Sequence, residues 1–403
     1  MTSLERRTVA ALAGILASRL FGLFLILPVF ALYAETLGGY TPFLAGLALG
    51  IYGLTQACLQ LPFGIASDRL GRKPVIAAGL VVFAAGSVVA ALADTMLGVI
   101  LGRALQGAGA VSAAVVALMA DLTRLEQRSK AMGAVGITVG AAFLVSLALG
   151  PGLGAVIGVP GIFWLTAALA LASLVILFLG VPAPARAESP SSIKPVPEKF
   201  RSVLRDPRLL RLDLGVFALH AALTATFVAA PPALLRYAGL ALHEHWLLYL
   251  PLMLASAIPL FPLLALADRP GWLRRVFAGC VSVLGGALLV LALGYTSLFG
   301  LAAGLLLFFI AFNVLEALLP SLISKAAPAE AKGTAIGVYA TFQFLGAFVG
   351  GAGGGWLHGR YGLAAVFAAS AVAVGLWFLS TLSRRIADLP DADLLRSEWR
   401  GRH

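Results

Sequence analysis

The stretch Gly64-Ile-Ala-Ser-Asp68-Arg69-Leu-Gly71-Arg72-Lys73 gathers four charges into six residues between two long apolar runs that carry almost none. A charged, glycine-punctuated segment in that setting reads as a tight aqueous turn between two membrane-crossing helices. A partial echo, Asp268-Arg269-Pro270-Gly271 followed by Arg274 and Arg275, recurs in the second half of the chain. The chain therefore reads as two related halves.

Composition agrees with a bilayer protein. The 403 residues are 60% hydrophobic and 12% charged, with a mean hydropathy of +0.97, whereas a soluble domain carries about 25% charge. Crossing about 30 Å of hydrocarbon takes roughly 20 apolar residues per helix. Charged or Pro/Gly-rich punctuation separates twelve such runs, at 8–33, 42–64, 74–94, 97–120, 129–156, 160–180, 208–232, 244–266, 272–293, 298–324, 330–356 and 361–383. A transmembrane β-barrel needs alternating strands of about ten residues, which this pattern excludes. The expected fold is an all-α membrane protein of 12 transmembrane helices in two six-helix pseudo-repeats.

Of the 29 Lys and Arg residues, all but Arg19, Arg103, Arg236 and Arg360 fall on one side if the N-terminus is cytoplasmic. The positive-inside rule then places both termini in the cytoplasm. The net charge of +11 and pI near 10.1 are spread over short loops facing anionic lipid, so nucleic acid is not an expected partner. Met1 to Arg7 resembles the basic start of a signal peptide, but the following apolar run is too long for one, so the first helix is expected to be retained. Cys58 and Cys280 fall in different halves and read as free thiols. No His/Cys/Asp group has metal-ligand spacing, and no phosphate-cradling Gly-x-x-x-x-Gly-Lys-Ser/Thr run is present. No cofactor, metal or enzymatic constellation is expected.

The Pro-, Ser- and charge-rich segment after Pro182 divides the helices six and six: an N-terminal bundle over 1–180, a cytoplasmic linker over 181–207, a C-terminal bundle over 208–383 and a tail over 384–403. One short surface helix is expected near Glu198 to Leu204. Parallel repeats of this kind commonly frame alternating-access transporters.

On these residues the chain resembles the major facilitator superfamily, its drug:proton antiporter branch, and within that the YajR type of bacterial inner-membrane protein. Gly64-x-x-x-Asp68-Arg69-x-Gly71-Arg72-Lys73 fits the family's signature loop at every defining position. Arg103-Ala-Leu-Gln106-Gly107-x-Gly109 fits the Arg-bearing motif of proton-coupled members, and Gly150-Pro151-x-x-Gly154 resembles the antiporter motif, although Ser146 and Ala155 stand where glycines are usual. The resemblance implies a monomeric inner-membrane transporter that exchanges an amphipathic or lipophilic small molecule for protons. The signature loop would latch the cytoplasmic face against helix 11 and the acidic end of helix 4, a place matched here by Asp121. The departures in helix 5 leave a proton symporter or facilitator importing a small solute as the alternative, with a membrane sensor or scaffold without flux more remote.

In the loop itself, Gly64 is expected to admit a neighbouring helix and Gly71 a tight turn, while Asp68 accepts from Arg69 or Arg72 or caps a facing helix. Ionisable residues at membrane depth are functional candidates. From the helix ends, His220 lies about 15–18 Å deep and Glu316 about 12–14 Å from the same face at 1.5 Å per residue, so the two could meet as a protonation site. Asn313, one turn before Glu316, could orient it. By resemblance Arg103 takes part in proton coupling or holds packing. Tyr52, Gln56 and Gln60, and likewise Tyr339 with Gln343, share helical faces at i, i+4 spacing and are candidates for a substrate cavity, as is Asn313. Arg19, deep in the first helix, is expected to face that cavity or to pair with a carboxylate. Glu35 is expected in an outer loop and Asp213 at the interface near the inner surface. The glycines from Gly346 to Gly355 read as helix-packing surface.

Overall fold

The computed structural model describes residues 1–182, 196–328 and 331–382. The linker residues 183–195 and the tail 384–403 lie outside that range, as do their basic residues. Twelve helices long and apolar enough to cross a membrane follow one another: α1 (Ser3–Ala34), α2 (Pro42–Leu70), α3 (Arg72–Ala91), α4 (Met96–Asp121), α5 (Lys130–Val156), α6 (Gly158–Gly180), α7 (Pro207–Arg236), α8 (Leu242–Ala267), α9 (Leu273–Gly294), α10 (Leu298–Ala326), α11 (Lys332–Tyr361) and α12 (Leu363–Thr381). A short helix, Val196–Arg205, precedes α7 and lies against α7 and α11.

The helix starts are written locally. Thr41, Thr95 and Ser297 each accept a hydrogen bond from the backbone three residues on, and Asp206 caps α7 ahead of Pro207, so orphan N–H groups at these starts find acceptors. Several spans carry breaks or internal prolines: α1 is interrupted at Leu25–Ile26 just before Pro28, and α7 holds Pro231 and Pro232.

The opening stretch folds differently from a loop. α2 runs on through Leu70, and the whole reversal is made at Gly71, with φ +94°, before α3 begins at Arg72. A side chain other than glycine would be strained there. Gly64 sits within α2, and a Cβ built on it meets nothing within 4 Å. The expectation that Gly64 admits a close neighbour does not hold in this conformation, because the helix that could approach it is elsewhere in contact.

That helix is α11. A Cβ on Gly46 would lie 2.1 Å from the Gly351 carbonyl, one on Gly50 2.7 Å from the Phe348 carbonyl, and one on Gly53 2.5 Å from the Phe344 carbonyl. On the opposite side of α11, Cβ atoms on Gly346 and Gly350 would strike the carbonyls of Phe217 and Ala221 in α7 at 2.2 and 2.1 Å. α11 is thus clasped backbone to backbone between α2 and α7. In lipid, where no hydrophobic force drives helices together, such small-residue contact supplies the van der Waals attraction.

The clasp covers only one end. Toward Gly71 the α2–α11 contact is not continued: Gly64 of α2 and Gly333 and Gly337 of α11 have open space where a Cβ would go, as do Gly133, Gly136 and Gly140 of α5. At the far end the ends of α1 and α7 meet through an ion pair between Glu35 and Arg236 at 2.5 Å. The molecule is closed at its Glu35 end and open at its Gly71 end.

Replacing Gly50 by leucine is expected to force α2 from α11 and destabilise this conformer by about 1–3 kcal/mol. Gly333→Ala, which fills open space, is expected to stay within about 0.5 kcal/mol. Thermal unfolding in one detergent would compare them, and equal losses would contradict the clasp.

Candidate functional site

Midway along α7, α10 and α11 three polar side chains converge. His220 of α7 carries a Nδ1 that lies 3.2 Å from the Val216 carbonyl one turn earlier, the common i−4 position. A ring that donates there has its lone pair on Nε2, and the Gln343 amide of α11 donates to that atom at 2.8 Å. The same amide donates to Glu316 Oε1 of α10 at 3.3 Å. His220 Nε2 and Glu316 Oε2 stand 3.7 Å apart, and Glu316 Oε2 has no hydrogen-bond partner. Gln343, read from sequence as a cavity residue, instead bridges the two ionisable groups.

One turn along α11, Tyr339 is buried, its hydroxyl has no partner, and it lies within electrostatic reach of both Glu316 and Asp213. Asp213 is a correction to the sequence reading. It is 1% exposed, packed inside the bundle and not solvated at its surface, and one carboxylate oxygen is unpartnered. The signal was in the spacing, since seven residues separate it from His220, which places both on one face of α7. Asn313 does not orient Glu316; its amide donates to Ser256 of α8 at 3.0 Å.

The cations of the first six helices form a separate group. Arg103 is fully buried and donates to the carbonyls of Gly22 at 3.1 Å and Ala48 at 3.4 Å and to Gln106 Oε1 at 2.9 Å. It ties α1, α2 and α4 and has no contact with His220 or Glu316. Its guanidinium lies 4.9 Å from the centroid of the Tyr52 ring. The Tyr52 hydroxyl accepts from Arg19 at 2.9 Å, and Gln56 Oε1 accepts from the same nitrogen at 3.0 Å. Arg19, Tyr52 and Gln56, expected on a cavity wall, are therefore turned toward one another inside the bundle, because a buried guanidinium takes whatever acceptors it can reach. Gln60, one turn further along α2, is partly buried with its Oε1 unpartnered.

At the Gly71 end the signature residues assemble around one side chain. Arg72 pairs with Asp68, bonds Asp121 at 3.1 Å and donates to the Ser67 hydroxyl at 2.8 Å. Lys73 donates to the Val181 carbonyl, and Arg69 is exposed. Nearby, Arg124 donates to Glu5 through its guanidinium at 2.9 and 3.2 Å and its backbone N–H at 3.3 Å, tying the start of α1 to the segment after α4. All these contacts stay within the first six helices, and among the described residues none reaches α11. The Glu35–Arg236 pair at the other end was missed in sequence; its signal was that each residue ends the first helix of its half. Among the described residues no group of three or more His, Cys, Asp or Glu could hold a metal ion. Cys58 and Cys280 are both free.

Comparison with known proteins settles the class. The family model of the Major Facilitator Superfamily matches residues 12–351. The chain is 44% identical to the inner membrane transport protein YajR of Escherichia coli over 99% of its length and 87% of that protein. It is 27% identical to the multidrug resistance protein MdtH of Aeromonas hydrophila, covering 84% of each. In fold it resembles a bacterial homologue of the human lysosomal transporter Spinster, with a TM-score of 0.77 over 94% of this chain and 96% of that one at 16% identity. The chain belongs to the major facilitator superfamily: it is a multi-pass transporter of the inner membrane, not an enzyme.

The Glu35–Arg236 pair is partly exposed, so its removal should weaken closure by only about 0.2–1 kcal/mol, roughly a 1.4- to 5-fold shift. Glu35→Gln is expected to speed thiol labelling of a cysteine placed at Ala45, buried at that end, by that factor. No change in rate would remove the pair from the closure.

Proposed function

We propose that this member of the major facilitator superfamily is a proton-coupled antiporter that exports an amphipathic or lipophilic small molecule by alternating access, with both termini and the Gly71 end in the cytoplasm. The convergence of His220, Glu316 and Gln343 carries this reading. Two ionisable side chains at membrane depth, joined by one neutral amide and lacking any cation in ion-pair contact among the described residues, form a site whose charge can change without breaking a structural pair. Arg103, a packing tie here, acts in this reading only through helix placement.

The driving force is adequate without a nucleotide. One elementary charge moved through 100 mV supplies about 2.3 kcal/mol, close to a 50-fold gradient. The proton is the coupling ion, and the chain works as a monomer whose halves, 1–180 and 208–383, rock about the central seam.

The register of that seam supports the rocking. Gly46 meets Gly351 and Gly355, Gly50 meets Phe348, and Gly53 meets Phe344. Continued by the same antiparallel step, it sets Gln60 opposite Gly337 and Gly64 opposite Gly333, positions that stand open in this conformer. Closing the Gly71 end would bring α11 onto the signature loop, where Asp68 and Arg72 lie beside Asp121. These pairs are partly exposed in this conformer and worth about 0.2–1 kcal/mol each. Once α11 covers them, breaking a buried pair costs about 3–5 kcal/mol, more than the few kcal/mol that separate two functional conformers, so such a latch can bias the cycle.

The test is reconstitution in liposomes with a pH-sensitive dye inside, challenged with a panel of lipophilic solutes. Solute-dependent proton movement opposite to solute flux is expected. Glu316→Gln is expected to abolish it while the purified protein still folds and binds the transported solute. Solute flux with no proton movement would sink the antiport assignment, and full coupled flux in the variant would remove Glu316 from the site.

A further inference from the structure

The proton site described above reaches the contact between α5 and α10, across the halves, through the side chain of Phe312. Phe312 lies on α10 one turn before Glu316 and on its face. Its ring meets the His220 ring edge-on, with centroids 5.8 Å apart and planes at 62°. Its other contacts are a stacked pair with Phe308 at 6.0 Å and, across the seam, a stacked pair with Phe143 of α5 at 5.8 Å. Phe143 in turn meets Phe24 of α1 at 5.0 Å and Phe309 at 6.2 Å. Phe143 is 8% exposed and Phe312 4%. His220, Phe312, Phe143 and Phe24 form a continuous aromatic path from the second half to α1 in the first, with Phe308 and Phe309 packed beside it.

The geometry at His220 shows why a proton arriving there would be felt along that path. Nδ1 is engaged by the Val216 carbonyl, and the Nε2 lone pair is occupied by the Gln343 amide. A proton delivered from water to Nε2 takes up that lone pair, so the Gln343 hydrogen bond is lost and the new N–H becomes a donor. The acceptor in reach is Glu316 Oε2 at 3.7 Å, too far for a good hydrogen bond until the ring or the carboxylate turns. A turn of the imidazole moves the edge on which Phe312 rests. The other titratable groups facing the pair are Tyr339 of α11 and Asp213, two turns back on α7; among the described residues no cation from α1, α2, α5, α8 or α12 forms an ion pair with either member.

We propose that Phe312, stacked on Phe143, is the positioning residue that transmits the state of the His220–Glu316–Gln343 site to the contact between the two halves. This rests on the proton-coupling reading. The two rings hold α5 and α10 together when Gln343 engages His220, and they separate when His220 turns to Glu316. Leucine at either position keeps an apolar side chain in the seam but removes the stacked face, so the halves still meet while their closure no longer follows the proton.

The test uses the full chain in lipid nanodiscs, with Cys58 and Cys280 replaced and spin labels at Leu70 and Ile336, exposed positions on α2 and α11. Double electron-electron resonance between pH 5 and pH 8 gives the populations of short and long distances. The unsubstituted pair should show a pH-dependent shift, Glu316→Gln should abolish it, and Phe312→Leu and Phe143→Leu should each reduce it at least fivefold. Combining the two should reduce it no further, and Phe143→Tyr, which keeps the ring, should retain it. Phe143→Met replaces any leucine variant that fails to fold. If Glu316→Gln abolishes the shift while the leucine and methionine variants keep it, the proton site stands and the role of Phe312 falls. If the unsubstituted pair does not respond to pH, both fall.

Discussion

The contact between α2 and α11 is the constraint on which the rest of this structure depends. Gly46, Gly50 and Gly53 lie against backbone of α11 so closely that a single methyl group at any of them would overlap a carbonyl oxygen. Two helices at that separation leave no freedom to rotate, so the faces they present are fixed. α11 must turn Gly346 and Gly350 to α7 and Tyr339 and Gln343 toward α10, and in doing so it delivers the amide that joins His220 to Glu316. The same contact is made at Gly53 but no longer at Gly64, Gly333 or Gly337, and so the molecule is closed at one end and open at the other.

Charge is divided between the halves in a way that follows from burial. The first six helices hold two buried guanidinium groups, Arg19 and Arg103, held by carbonyls, amides and the Tyr52 ring and hydroxyl with no carboxylate among the described residues. The last six hold the buried or half-buried acids Asp213 and Glu316, with no guanidinium or ammonium partner among the described residues. A guanidinium stays charged throughout and can only be satisfied by acceptors, so its hydrogen bonds make it a structural tie. A carboxyl or an imidazole can change its charge in place, and the unpaired acids Asp213 and Glu316 with His220 lie in the second half.

Much of this was legible in the sequence, and the limits are physical. Hydropathy alone placed all twelve spans, because a bilayer imposes length and polarity on each helix separately. Depth arithmetic brought His220 and Glu316 to the same level, since rise per residue does not depend on neighbours. What could not be read was rotation about each helix axis and which end of the bundle is shut. Gln343 was assigned to a cavity wall, as were Arg19, Tyr52 and Gln56, and Asn313 to Glu316 instead of Ser256, because two or three residues within reach of each were equally compatible with its helical face. Gly64 was read as a contact point, while in this conformer that contact is not made. Glu35 with Arg236, and Phe143 with Phe312, join residues 201 and 169 positions apart in sequence, and only the packed bundle selects such pairs.

The account stands on one movement: the halves rock about the glycine seam, closing Gly64 onto Gly333 as the Glu35 end parts. Cysteines at those two positions, in a chain with Cys58 and Cys280 replaced, would be treated with a short thiol cross-linker in membranes, and the accessibility of Tyr40 at the other end followed by a cysteine placed there. The account predicts that the pair cross-links in a fraction of molecules and that cross-linked molecules expose position 40. Failure to cross-link, or cross-linking that leaves position 40 as protected as before, would contradict it.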